Sequence, residues 1–142
     1  MSHDEPLVAG DPETTEWMRT ATPFTNLCEI VIDRYSKDEV LGRVAWQEKF
    51  CTVNGNLHGG FLMTLADAVG AWLAVQHLPE GAGTSTISSS TNFLRPAPEG
   101  VYEIRSSLVM AGRRTITVVT DVVNPAGKVV SRTTQTQAVL TS

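Results

Sequence analysis

Residues 56–72 read NLHGGFLMTLADAVGAW, and this stretch constrains the fold more than any other part of the chain. With the apolar residues that follow it, it predicts a helix from about Gly59 to His77, roughly 28 Å long at about 1.5 Å per residue. The segment LPEGAG ends it. A helix that is apolar on nearly every side must be covered nearly all round. Yet Asp67 stands in its middle, and a charge taken into a protein interior is costly unless it is paired.

Residues three and four apart share a helix face. The face of Asp67 runs through Gly60, Met63, Thr64, Gly70, Ala71 and Ala74, most of them small. The bulk of Phe61, Leu62, Leu65, Val69, Trp72, Leu73 and Val75 lies on the other sides. A small-residue stripe lets a backbone or a ligand come close to the carboxylate. Gly59 and Gly60 fall at the helix N-terminus, where unpaired N–H groups can bind an anion or polarise a carbonyl oxygen. The plain structural alternative is that Asp67 is satisfied by buried hydroxyls or by an arginine across an interface, with HGG serving a tight turn. A histidine, two glycines and a helical carboxylate within ten residues instead form a candidate for acyl chemistry, an oxyanion site beside a base or nucleophile.

The elements around this helix indicate what covers it. Asp11 and Pro12 suit the cap and first position of a short helix that stops before Pro23. NLCEIVIDRYS and EVLGRVAWQ, joined by SKD, predict a hairpin, and residues 48–57 a loop turning at NGN. After the helix come STISSSTNFLRP, VYEIRSSLVMAG, RTITVVTDVV and KVVSRTTQTQAVL. Short turn-rich segments separate them, which predicts antiparallel neighbours in chain order. The fold class is α+β, with a strongly curved antiparallel sheet wrapped around one long helix and a dimer partner covering the rest.

At 142 residues the chain has room for one domain, 1–142, with residues 1–10 expected to be loose. A net charge of −4 without a basic block argues against nucleic acid as a partner. The first fifteen residues are acidic and lack an apolar run, so neither a secretory signal nor a transit peptide is expected. The apolar run from Phe61 to Val75 is short for a membrane span and contains Asp67. Cys28 and Cys51 lack metal-ligand spacing and read as free thiols in a reducing cytoplasm, one disulfide being the alternative. His3, His58 and His77 show no metal spacing, and no G-x-S-x-G, P-loop or G-x-G-x-x-G occurs.

TVNGNLHGGFLMTLADAVGAW followed by TNFLRPAPEG resembles the hotdog-fold acyl-CoA thioesterases of the phenylacetate-pathway (PaaI-like) branch, from about residue 24 to 140. The pattern is G-x-x-H-G-G with a carboxylate nine residues after the histidine, here Gly55, His58, Gly59, Gly60 and Asp67. The resemblance implies a hotdog fold and a homodimer with a continuous sheet, often paired into a homotetramer. It also implies active sites at the subunit interface and hydrolysis of an acyl-CoA to free acid and CoA. No separate cofactor is implied, since CoA is part of the substrate.

By the same resemblance the Gly59 N–H binds the thioester carbonyl, and Asp67 activates water or attacks directly. His58 orients the loop or the thioester, and Thr86 supplies a hydroxyl that positions the water or Asp67. The family commonly carries Asn or Gln six residues before the histidine; Thr52 stands there, with Asn54 available through a register shift. Gly60 is expected beside the substrate. Arg95 and Arg113, at strand ends, are solvated charges or contacts to CoA phosphates, for which guanidinium suits. Trp17, Trp46 and Trp72 read as core or interface residues, with Trp17 and Phe24 bordering the acyl pocket. A non-catalytic acyl-CoA-binding protein is the alternative from another class, motivated by Thr52. A hotdog dehydratase is weaker, because neither His58 nor His77 has an Asp five residues before it.

Overall fold

A computed structural model describes residues 5–141. Helix α1, Pro12–Ala21, begins where Asp11 accepts hydrogen bonds from the Thr14 amide (3.0 Å) and hydroxyl (2.7 Å). Pro12 costs nothing there, because the first helical amide has no partner to lose. Pro23 ends the run but also opens helix α2, Pro23–Cys28, which Glu29 closes in a left-handed conformation (φ 58°). The strand expected from Asn26 onward therefore shortens to β1, Val31–Tyr35. The fixed φ of Pro23 favours a first helical turn over the strand composition that follows it.

β1 forms a hairpin with β2, Glu39–Ala45. Two short 3-10 turns, Glu48–Phe50 and Val53–Gly55, lead into helix α3, Gly59–Val75. Strands β3 (Gly83–Phe93), β4 (Val101–Ala111), β5 (Thr115–Val123) and β6 (Val129–Leu140) complete one antiparallel sheet of order β1-β2-β4-β5-β6-β3.

That order corrects one expectation. β3 does not pair with the next strand, β4; it pairs with β6 and forms an edge. The link LRPAPEG holds Pro96 and Pro98, which cannot donate backbone hydrogen bonds, and it travels under the sheet end as a crossover. Leu57 donates to the Ala97 carbonyl (2.8 Å) and Leu94 to that of Val130 (2.8 Å), which pins the crossover to the helix entrance and to β6.

α3 lies across the concave face of the sheet, chiefly on β4 and β5. Leu62, Leu65, Ala66, Val69, Leu73 and Ala74 are buried against Val40, Val44, Tyr102, Ile104, Ile116, Val118 and Val122. Truncating a core leucine such as Leu65 would cost about 2–5 kcal/mol. Of the segment expected to be loose, residues 1–4, His3 among them, lie outside the described residues. Further on the chain is held: Arg43 donates to the Val8 carbonyl (2.6 Å), and the Gly10 amide to Asp33 (2.8 Å). Cys28 and Cys51 are both free thiols. Among the described residues, no helix is long and apolar enough to cross a membrane.

Candidate active site

The helix entrance is built by the preceding loop. Asn54 (φ 61°) and Gly55 (φ 70°) take left-handed backbone, which folds residues 51–57 back on themselves. The fold closes with Thr52 donating from its amide to Asn56 O at 2.8 Å. The His58 amide bonds Phe50 O (2.9 Å), and the rings of Phe50 and Phe61 stack at 4.2 Å. His58 then caps α3: its Nδ1 accepts the Gly60 N–H at 2.8 Å. That bond requires a ring whose Nδ1 carries no proton. Gly60 is thereby occupied, whereas the Gly59 N–H has no hydrogen-bond partner among the described residues. The Phe93 ring covers Gly59 closely enough that a β-carbon there would sit 3.2 Å from it.

Asp67 sits in mid-helix, eight residues on, about 12 Å along the axis from Gly59. Contrary to the interior position expected, it is exposed in the protomer, as are Gly60 and Met63. The expected small-residue stripe divides. Gly70 and Ala74 are buried in the protomer, whereas Met63 and Asp67 are exposed. Gly70 is approached by β6 of its own chain rather than by a ligand.

Two donors hold Asp67. Thr86 Oγ1 donates to Oδ1 at 2.9 Å, and Gln135 Nε2 donates to the same oxygen at 2.7 Å. Gln137 Nε2 donates to Thr86 Oγ1 (2.7 Å), and the Thr84 hydroxyl donates to Gln137 Oε1 (3.1 Å). Thr86 is followed directly by a bulge. Thr86 pairs with Gln137 and Ser88 with Thr136, so Ile87 is the extra residue. The bulge flips the strand's alternation by one. Thr84 and Thr86 face α3 before it; Ser89 and Thr91 do so after it.

A cavity of about 320 Å³ opens beside the carboxylate. Thr22, Phe24 and Thr25 of the α1–α2 corner, Met63, Thr64 and Ala68 of α3, and Ser89 line it with Asp67. Phe24 thus borders this cavity. Trp17 does not; it packs edge-on against Trp72 at 4.8 Å and Tyr35 at 6.1 Å. The Trp46 indole bonds Gly55 O at 2.8 Å.

The expected residues therefore form two groups in one protomer. Thr52, Asn54, His58, Gly59 and Gly60 gather at the helix entrance, and Asp67 pairs with Thr86 in mid-helix. Arg95 and Arg113 lie apart in the protomer. Arg95 follows β3 and donates to Val129 O (2.7 Å), whereas Arg113 lies in the β4–β5 turn beside Lys37 and His77, at the opposite end of the sheet. Cys51 near the entrance is not prepared as a nucleophile. Burial, and then the Glu48 carboxylate, push its thiol above the ordinary range. Sequence reasoning did not single out Gln135 and Gln137. Their signal is the alternation in TTQTQ, which puts two amides on the strand face that carries Thr133.

A sequence model of the thioesterase superfamily matches residues 54–131, more than half of the chain, a range that includes Asn54, His58, Gly59, Gly60, Asp67 and Thr86 but not Thr52. The chain belongs to the thioesterase superfamily. Among proteins with this thioesterase fold, a candidate thioesterase related to phenylacetic acid degradation from Ralstonia eutropha JMP134 is 26% identical, with a TM-score of 0.78 over 87% of this chain and 96% of that one. A thioesterase from Haemophilus influenzae superposes with a TM-score of 0.82 over 94% of this chain and 95% of that one; at 20% identity it shows the fold alone. In sequence, a candidate esterase from Saccharolobus solfataricus is 27% identical over 106 residues, 75% of this chain and 69% of that protein. The thioesterase assignment makes this chain a hotdog-fold thioester hydrolase, as the HGG-to-Asp67 pattern implies.

Proposed function

We propose that this thioesterase hydrolyses an acyl- or arylacyl-coenzyme A to the free acid and CoA, with Asp67 as the reacting carboxylate. The observation that carries the reading is Asp67 at the mouth of a partly apolar cavity, held by two donors on one oxygen. Activating water, the carboxylate takes a proton as the water oxygen bonds to the carbonyl carbon. Collapse of the tetrahedral species breaks the C–S bond, and the CoA thiolate leaves and is protonated. The developing oxyanion needs a donor, and the unpartnered Gly59 N–H at a helix N-terminus is suited to it.

Gly59 and Asp67 of the same protomer lie too far apart for this. A donor and a base sharing one carbonyl stand within about 8 Å of each other. The site is therefore proposed to be composite, with Asp67 of one protomer facing the helix entrance of its partner in a homodimer. The unpaired edge of β3, with Ile87 and Phe93 exposed, is the surface that would meet a second copy. Further pairing into a tetramer extends the same proposal. His58 fixes the entrance by capping it, and Gly60 keeps the backbone open. Thr52 or Asn54 takes the place of the usual amide, and Arg95, two residues beyond Phe93, is the better placed arginine for a CoA phosphate.

Thiol release from aryl, medium-chain and long-chain acyl-CoA thioesters tests the proposal. Turnover of at least one class supports it. Tight acyl-CoA binding without turnover across the panel would overturn it in favour of a binding protein.

A further inference from the structure

Both donors to Asp67 converge on Oδ1, and among the described residues Oδ2 has no partner. We infer that Gln135 is a positioning residue that reserves Oδ2 of Asp67 for the reaction, by holding Oδ1 from the floor of the sheet. The inference rests on the proposed role of Asp67 and adds to it which oxygen acts and what selects it.

Gln135 is 1% exposed, and its amide orientation is determined by chemistry. A carboxylate only accepts, so the amide nitrogen must face Oδ1. The opposite orientation would set two acceptors against each other. The consequence is that Gln135 Oε1 is buried with no hydrogen-bond partner, an arrangement native cores seldom tolerate. It is directed at Gly70, where any β-carbon would overlap it. The absence of a β-carbon at Gly70 leaves room for this unsatisfied oxygen, while the amide nitrogen donates to Asp67 Oδ1 and to Thr86 Oγ1.

Thr86 is oriented by the same layer. Its oxygen accepts from Gln137 Nε2 (2.7 Å) and from Gln135 Nε2 (3.3 Å). Its single hydrogen is left for Oδ1. Asp67 is the only titratable group among the described residues lining the cavity. The carboxylate plane is therefore set by neutral donors alone, with Oδ2 the oxygen left for water or the thioester carbon.

The test compares kcat, KM and the pH profile of kcat/KM for the native protein, Gln135→Met, Gln135→Glu and the control Thr133→Val, on the best acyl-CoA of the panel. Thr133 lies two residues away on the same buried strand face and bonds Thr91. Gln135→Met should lower kcat about ten- to a hundredfold with KM within about twofold, because a misplaced reacting group loses rate rather than binding. Its acid limb should move to higher pH, since a donor to the charged form has gone. Gln135→Glu, nearly isosteric, should move the acid limb the same way by placing a second carboxylate beside the first. Thr133→Val should leave both unchanged. An acid limb that stays in place in both Gln135 variants overturns the inference, as does an equal shift in Thr133→Val. Asp67→Asn, run alongside, separates the two failures: if it remains active, the role of Asp67 falls; if it is inactive while the Gln135 variants match native, only the positioning role falls.

Discussion

Thr86 and Asp67, nineteen residues apart on different elements, are joined by a hydrogen bond of 2.9 Å beside a bulge at Ile87. Without the extra residue, the alternation of β3 would run on unbroken and put Thr86 and Ser89 on opposite faces. A hydrogen bond to a charged group is worth about 1.5–3 kcal/mol. Thr86→Val should therefore cut kcat by roughly ten- to a hundredfold, while Thr86→Ser, which keeps the hydroxyl, should recover most of it. Steady-state thiol release on purified variants checks both.

Gly70→Ala tests the packing beneath the carboxylate. The new methyl would meet Gln135 Oε1 and, at 3.1 Å, Val118 Cγ2. Overpacking costs about 1–3 kcal/mol. Urea denaturation should show a lower midpoint with an unchanged slope, and the surviving folded protein should turn over more slowly. A midpoint equal to native would mean that Gln135 relocates freely.

His58 has a structural duty separable from any contact with substrate. His58→Ala removes the acceptor for the Gly60 amide and should destabilise the protein by about 1 kcal/mol, the usual worth of an N-cap. His58→Asn can still cap and should stay near native stability. Thermal denaturation of the three proteins makes the comparison.

Acid should weaken the N-terminal anchor. The Arg43 guanidinium, bonded to Asp33 at 2.6 and 2.8 Å, holds the Asp33 carboxyl below its usual range; partial burial opposes this, and the Gly10 amide adds to it. Because the folded value is depressed, the stabilisation is complete above the unfolded value of about 3.9 and is lost as pH falls through the folded one. Asp33→Asn should therefore be less stable than native at pH 7 and lose less between pH 5 and pH 2. Denaturant midpoints across that range give the two slopes.

The long helix and its turn-bounded strands were legible because apolar periodicity and Gly/Pro punctuation are local signals. The pairing of β3 with β6 was not, since short links suggest neighbours and only tertiary packing reveals the crossover through Pro96 and Pro98. Helix α2 was concealed by β-branched and apolar residues that suit a strand equally well. At the site, the HGG-to-Asp67 pattern and the Thr86 hydroxyl lay in segments whose geometry is set by one helix and its adjoining strand. Gln135 was not legible, because an amide on a strand looks like solvent-facing polarity until the opposite face is known. Arg95 and Arg113 both stand at strand ends in the sequence, and the sheet order places them at opposite rims of one protomer.

The most direct test of the account is the hydrolysis rate of Asp67→Asn on the acyl-CoA that the native protein turns over fastest. The substitution keeps size and neighbours but removes the negative charge. The account predicts a fall in kcat of about a hundredfold or more, with the protein folded and KM little changed. An Asp67→Asn protein that releases CoA as fast as the native chain would contradict it.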